Sequence, residues 1–193
     1  MAAFAYRLKF SLGLAAALVL SQGALAADDA RAKRAELRKM CDDALAVVYK
    51  DKPEAKADIA KSAGYGCFTS FGISFFVGGA GGSGLVHSNA KKTDTFMKMA
   101  QASGGLDFGV KDYKEVLVFK SAKALDQFVT KGWEFGGGGS AVVTAEGKGA
   151  KAEQGQITSS DITVYPMTSA GLAVGVAAAG RKYWQDKDLN AAK

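Results

Sequence analysis

Apolar positions follow two different periods along the chain, one before about residue 66 and another after it. Over residues 28–50 they recur every three or four positions, which predicts an amphipathic helix. Pro53 and Gly64 bracket a second, short helix, because proline favours a first helical turn and glycine a helix end. Residues 28–66 are therefore predicted to be helical. The apolar stripe of the first helix consists of Leu37, Met40, Cys41, Ala44, Leu45 and Val48.

From Cys67 onward the period changes to two, as in strands. "CFTSFGISFFV" and "GGLDFGV" alternate, and "YKEVLVF" is more continuously apolar. "WEFGGGGSAVV", "SDITVYPM" and "GLAVGVAAAG" are further strand candidates. Between the strands, "SAKALDQFVTKG" predicts a helix capped by Ser121 and ended by Gly132. "TAEGKGAKAEQGQITSS" is a long exposed loop or a loose hairpin, and the tail "WQDKDLNAAK" is predicted to be solvated and frayed.

Glycines are frequent within the strand candidates, and one run, "SFFVGGAGGSGLV", satisfies the dinucleotide-binding spacing G-x-G-x-x-G. That motif requires a helix after the glycines and an acidic residue about 20 positions later, and the sequence has neither. The run is interpreted as a tight bend between two strands, and the repeated glycines indicate strong curvature. The predicted fold is α+β. N-terminal helices precede a curved, largely antiparallel, glycine-rich and barrel-like sheet with one inserted helix.

The first residues have the pattern of a secretory signal peptide. Arg7 and Lys9 precede the apolar stretch "FSLGLAAALVL", and the small residues "ALA" end at Ala26. We therefore expect residues 1–26 to be removed on export, leaving residues 27–193 as one domain, with the sheet-rich part at about 67–184. The predicted location is the periplasm, at the periphery of a membrane or free of it.

Charge narrows the choice of partners. The formal net charge of +6 falls to +4 without residues 1–26, which carry two cations and no acidic residue. A mildly basic protein favours anionic surfaces, and an exported protein is a poor candidate for nucleic-acid binding.

Two cysteines, Cys41 and Cys67, remain after the predicted cleavage. An oxidising compartment permits a disulfide between them, and the alternative is two buried, reduced cysteines that pack as small apolar residues. The sequence leaves both possibilities open.

The order of four segments resembles the SYLF-domain family over about residues 28–184. These are "FFVGGAGGSGLV", "ASGGLDFGVKDYKEVLVFKSAKALDQF", "GWEFGGGGSAVV" and "VYPMTSAGLAVGVAAAG". The resemblance implies a single domain that binds membrane lipids, with phosphoinositides as ligands in eukaryotic members and actin as a partner of some fungal members. Neither partner is available to an exported bacterial protein, so what it implies here is a general affinity for lipid. The most specific pieces are the bend with Gly78, Gly79, Gly82 and Gly84, the step Gly132-Trp133-Glu134, and the segment from Val164-Tyr165 to Gly171-Leu172.

The residues give little support to an enzyme. His87 is the single histidine, and a lone histidine is usually a surface or packing residue. No group of histidine, cysteine and carboxylate residues has metal-ligand spacing, and nothing resembles a nucleophile elbow. We therefore expect no catalytic residue, no metal and no cofactor.

The leading hypothesis is an exported, non-enzymatic protein that associates with anionic lipid or a membrane surface. The alternative is a structural or protein-interaction module of the envelope with a protein partner. In the first case the basic side of the first helix faces the membrane, and Trp133 is a candidate anchor or, as the alternative, a core residue. The candidate lipid-binding residues are Arg31, Lys33, Arg34, Arg38, Lys39 and Trp133.

Overall fold

Helices precede and flank one antiparallel sheet in a computed structural model of the chain. The structure describes residues 11–75, 79–102, 112–135, 151–153, 156–158, 161–168, 171–172 and 181–191. The predicted α+β class is confirmed. The helices of this part are α1 (Ser11–Asp51), α2 (Ala55–Lys61), α3 (Ala122–Lys131) and α4 (Lys187–Ala191).

The strands pair antiparallel throughout the described part, as predicted. Their order across the sheet is β5-β10-β3-β2-β1-β4-β8-β7-β6, and β9 pairs with β8. The strands are β1 (Gly64–Phe75), β2 (Gly79–Ser88), β3 (Thr93–Ala102), β4 (Asp112–Phe119), β5 (Trp133–Phe135), β6 (Lys151–Glu153), β7 (Gln156–Thr158), β8 (Ile162–Thr168), β9 (Gly171–Leu172) and β10 (Arg181–Gln185).

The sheet is curled, and each face is covered by helices. Arg181 on β10 reaches Glu115 on β4 although three strands lie between them in the sheet, so the face that carries both residues is concave. Helix α3 packs into this concave face through Leu125 and Phe128. Helices α1, α2 and α4 cover the opposite, convex face. The result is a half-barrel with apolar layers on both sides.

The apolar stripe of α1 lies against the convex face as the sequence predicted. Leu37, Ala44 and Val48 are buried there. The helix is longer than the predicted 28–50, because it begins at Ser11 and continues through the predicted cleavage site. Removal of residues 1–26 stays a prediction.

A disulfide joins Cys41 on α1 to Cys67 on β1, with the two Cα atoms 5.1 Å apart. Both residues are buried in the layer between helix and sheet. A cross-link over 26 positions contributes on the order of 3 kcal/mol by restricting the unfolded chain. The bridge therefore holds α1 on the centre of the sheet.

The glycines of β2 allow close approach between neighbouring strands. A Cβ atom on Gly84 would overlap the backbone oxygen of Cys67 and the ring of Phe68. A Cβ on Gly82 would meet the Met99 side chain, with Met99 Cγ 2.7 Å away. The prediction of a tight bend at this run was wrong, because Gly79, Gly81, Gly82 and Gly84 lie within strand β2, which pairs with β1 and β3.

The prediction of a solvated tail was wrong. Residues 181–185 form β10 between β3 and β5, and residues 187–191 form α4. Asp186 caps α4 by accepting hydrogen bonds from the backbone N–H groups of Asp188 and Leu189, each at 3.1 Å. Asn190 pairs with the backbone of Phe96 through both its amide oxygen and its amide nitrogen, at 2.9 and 2.8 Å. Side-chain bonds to another strand order a segment that looks polar in sequence.

Strand β3 was missed by the sequence analysis, and other boundaries shifted. β1 begins at Gly64, slightly before the predicted 67, and the polar stretch after residue 144 contains the hairpin β6–β7. Helix α3 has its predicted bounds, and Ser121 Oγ accepts the predicted cap bond from Ala124 N–H at 3.2 Å. The strand predicted in "GGLDFGV", Gly78 and most of "GLAVGVAAAG" lie outside the described residues.

Candidate functional site

Three of the predicted lipid-binding cations lie on the solvent side of α1 in ion pairs within the helix. Arg31 pairs with Asp28 at 3.6 Å, Lys33 with Glu36 at 2.9 Å, and Lys39 with Asp43 at 2.7 Å. The Asp43 carboxylate, as hydrogen-bond acceptor and as charge, raises the pKa of Lys39. Because exposed ion pairs of this kind contribute little, these cations are able to exchange their partners for other anions.

The other two cations of α1 attach the helix to the rest of the fold. Arg38 Nε donates to Asp94 Oδ2 at 2.7 Å, and its guanidinium lies 5.3 Å from the ring centre of Phe96. Arg34 donates to the backbone oxygen of Leu189 on α4 at 3.4 Å. These contacts assign both arginines a structural role that the sequence did not indicate.

The predicted aromatic anchor, Trp133, lies in β5 with its backbone opposite Tyr183. Trp184, on the convex side of β10, has a side chain that is 39% exposed.

His87 belongs to the same cluster as Arg38. Its Nδ1 lies 2.8 Å from Asp94 Oδ1, and its ring stacks on Tyr65 with centroids 5.1 Å apart. Burial acts to raise the pKa of Asp94, but hydrogen bonds from His87 and Arg38 outweigh it, so the pKa is lowered. The cluster couples α1 to β2 and β3 through one ionised carboxylate.

Because the pKa of Asp94 is lowered in the folded state, the stability of the fold depends on pH. Because the folded-state pKa of Asp94 lies below the ordinary aspartate value of 3.8, the ionised carboxylate stabilises the fold above that pH. The contribution is lost as the pH falls through the lower, folded-state pKa. We expect Asp94→Asn to be less stable than the native protein at neutral pH, and the gap to narrow below about pH 4. Urea unfolding of both proteins from pH 7 to pH 2.5 measures this, and a gap independent of pH would contradict it.

A buried charged network crosses the concave face, and the sequence analysis did not find it. Glu115 is fully buried, and its Oε2 accepts hydrogen bonds from Arg181 at 2.7 Å and from the Tyr113 hydroxyl at 2.9 Å. The Tyr183 hydroxyl donates to Oε1. The Arg181 guanidinium also lies 4.7 Å from the ring centre of Tyr113. Three donors thus satisfy one carboxylate in the interior of the half-barrel.

The tyrosine hydroxyls of this network stay protonated. Burial and the nearby Glu115 carboxylate raise the pKa of Tyr113 and of Tyr183 well above the ordinary value. Burial would lower the pKa of Arg181, but the Glu115 charge outweighs it and the pKa is raised. The two hydroxyls therefore remain hydrogen-bond donors, and the Arg181 guanidinium remains charged, over the physiological pH range. In the sequence, the one local indication of this network is a glutamate within the apolar strand "YKEVLVF".

A cleft of about 350 Å³ opens between the end of α2 and strands β4 and β8. Val118 and Tyr165 form its apolar part. Burial, with smaller contributions from Asp58 and Glu54, raises the pKa of Tyr165, so its hydroxyl remains a hydrogen-bond donor at neutral pH. The polar lining consists of Asp58, Lys61, Ser62, Lys120 and Thr163.

Two glycines from the most specific segments have backbone conformations that disfavour other residues. Gly132, which ends α3, has φ 71°, and a Cβ there would overlap the backbone oxygen of Tyr183. Gly171 has φ 113°, and a Cβ there would lie 3.0 Å from the Asp51 carboxylate at the end of α1. Both segments therefore have structural reasons for their glycine.

The described residues also limit the chemistry that this part of the chain offers. They contain no group of three or more histidine, cysteine or carboxylate residues arranged to hold a metal ion. Within the same ranges, no helix combines the length and the apolar character needed to span a membrane.

Comparison with known proteins places the chain in a family. Residues 100–193 match the family described as Ysc84, Las17-binding protein actin regulator. Over 164 residues the chain is 32% identical to beta cell expansion factor A of Aeromonas veronii, and the match covers 83% of this chain. The chain spans 60% of that relative's length. Together with the segments of the half-barrel described above, these matches show that the chain belongs to the SYLF-domain family, of which Ysc84 is a member.

Proposed function

We propose that this is an exported, non-enzymatic protein of the bacterial envelope that associates with anionic lipid, with the solvent side of α1 as one contact surface. The observation that carries the proposal is the position of Arg31, Lys33 and Lys39. They project from a helix whose opposite side is fixed to the sheet by buried residues and by the Cys41–Cys67 disulfide. Family membership supports a binding module.

The energetics favour weak and reversible attachment. Each cation near an anionic bilayer contributes about 1 kcal/mol, and salt screens this contribution. Acidic neighbours such as Asp28 and Asp43 offset part of it. Trp184 is able to add an apolar contact, since an indole ring suits the boundary between headgroups and acyl chains.

Vesicle co-sedimentation tests the proposal. The protein should bind vesicles that contain phosphatidylglycerol, more weakly at high salt, and bind pure phosphatidylcholine vesicles little. The variant Arg31→Gln/Lys33→Gln/Lys39→Gln should bind anionic vesicles about a hundredfold more weakly at low salt, because it loses three exposed cations that contribute about 1 kcal/mol each. Arg34 and Arg38 remain unchanged, since their contacts with Leu189 and Asp94 hold α1 in place.

Two outcomes would count against this proposal. Equal binding by the triple variant would remove α1 from the contact surface. No binding of the native protein to any vesicle would favour the alternative, a protein-interaction module of the envelope. The description of the matched family as a Las17-binding protein supports that alternative, because it names a protein as the partner.

A further inference from the structure

One end of the sheet carries a concentration of lysines away from the outer side of α1. The antiparallel register brings the start of β1, the end of β2, the end of β4 and the start of β8 to the same end, through the pairs Gly64–Ser88, Gly64–Phe119 and Phe119–Ile162. The end of α2, the turn after β2 and the start of α3 therefore meet there. The lysines of these segments are Lys61, Lys91, Lys92, Lys120 and Lys123.

Hydrogen bonds fix the segments that present these lysines. The Asn89 side chain donates to the backbone oxygens of Ile59 and Ser62 at 2.9 and 3.0 Å, which ties the turn after β2 to the end of α2. Ala63 N–H donates to Phe119 O at 2.9 Å, which ties the end of α2 to β4. Hydrogen bonds therefore hold the backbone segments that carry these lysines in place.

The cleft lies within this lysine-rich end. Lys61 and Lys120 line it from two different segments, over an apolar floor that contains Val118 and Tyr165. Among the described residues, Lys61 forms no ion pair, in contrast to Lys33 and Lys39 on α1. A cleft of about 350 Å³ is in the size range of small-ligand sites, which begins at about 300 Å³.

Acidic residues at this end reduce the positive charge without cancelling it. Asp58 lines the cleft. Asp161 lies beside it, since its backbone oxygen accepts a hydrogen bond from the backbone N–H of Lys120. The Asp126 carboxylate lies 3.6 Å from the Lys91 ammonium group. Glu54 also lies close enough to Tyr165 to raise the pKa of its hydroxyl, so four carboxylates face the five lysines of this end. Asp58 is the acidic residue within the cleft, so its removal should strengthen anion binding.

We propose that this cleft binds the phosphate-bearing headgroup of an anionic phospholipid, with Lys61 and Lys120 holding the phosphate. Lysine ammonium groups bind phosphate as point charges, and Tyr165 and Thr163 add hydroxyl groups at the same opening. The inference rests on the proposed lipid association and adds to it a defined headgroup site, separate from the outer side of α1.

The test compares three variants in co-sedimentation with vesicles of phosphatidylcholine that contain phosphatidylglycerol. Lys61→Gln/Lys120→Gln should bind about thirtyfold more weakly at low salt, because two cations leave the cleft. Lys131→Gln/Lys187→Gln removes the same charge from exposed lysines that do not line the cleft, and should change binding by less than about twofold. Asp58→Asn should tighten binding, which is a change in the opposite direction. Thermal midpoints of all three variants check that the fold is retained.

The outcomes separate this inference from the proposed function. If the native protein binds anionic vesicles and both double-lysine variants bind equally weakly, net charge explains the result. The inference of a headgroup site in the cleft is then overturned. Unchanged or weaker binding by Asp58→Asn would also overturn it. If the native protein binds no vesicles, the proposed lipid association itself fails, and the cleft inference fails with it.

Discussion

Replacing Arg181 with methionine is expected to lower the free energy of unfolding by about 3–5 kcal/mol, the largest single effect that we predict. Glu115 is fully buried and would lose its charged partner, with the hydroxyls of Tyr113 and Tyr183 left as donors. Urea unfolding followed by circular dichroism measures the change. Lys33→Met is the control, because the Lys33–Glu36 pair is exposed and should contribute less than about 1 kcal/mol.

A double-mutant cycle distinguishes loss of the ion pair from loss of packing. Glu115→Gln keeps the shape of the side chain but leaves Arg181 buried without a counter-ion. The double variant Glu115→Gln/Arg181→Met should lose less stability than the sum of the two single variants, since neither unpaired charge remains. A cost for Arg181→Met that matches the Lys33→Met control would refute a structural role for the network.

The second large effect concerns two glycines of one strand. Gly84→Ala should destabilise the protein by about 3 kcal/mol, because the added methyl group meets the backbone of Cys67 and the ring of Phe68. Gly81→Ala adds the same methyl group where nothing lies within 4 Å. Because alanine has less backbone entropy to lose, Gly81→Ala should be neutral or stabilising by up to about 1 kcal/mol.

Thermal and urea unfolding of the two variants test why β2 contains these glycines, either for close approach of the neighbouring strand or for backbone flexibility. Equal destabilisation by both substitutions would indicate that the strand requires flexible backbone at every glycine. A tolerated Gly84→Ala would show that the strands can move apart and that the close approach at Cys67 is not required.

The fold was predicted correctly from the sequence for elements that bury one side and expose the other. The stripe of α1 and the ten residues of α3 were predicted because each helix has one buried and one exposed side. β3 was missed because both of its faces are covered. Phe96 packs under α1, and Met97 and Met99 pack on the concave face, so apolar and polar residues do not alternate. Covering layers from distant parts of the chain remove the period-two signal.

The residues of the candidate sites were likewise predicted only where the signal is local in the sequence. The sequence identified the cations of α1 but could not tell exposed Lys39 from Arg38, whose partner Asp94 lies 56 positions away. Glu115 looked like one polar residue in an apolar strand, because its partner Arg181 is 66 positions away. The cleft combines α2 with β4 and β8, and no local pattern indicates that these segments meet. Interactions between distant segments therefore account for most of what sequence reasoning missed.

The place of β10 has a consequence for the order in which the fold can be completed. This strand lies between β3 and β5, so it forms hydrogen bonds on both of its edges, and it contributes Arg181 to the interior. A chain that has emerged only to residue 180 leaves β3 with an open edge and Glu115 without its cation. Open edges promote pairing with other chains, so a partly emerged chain is prone to aggregation and a suitable client for a chaperone. Folding is therefore expected to be completed late, after residues 181–191 have become available, and to be slow because its decisive contacts are non-local.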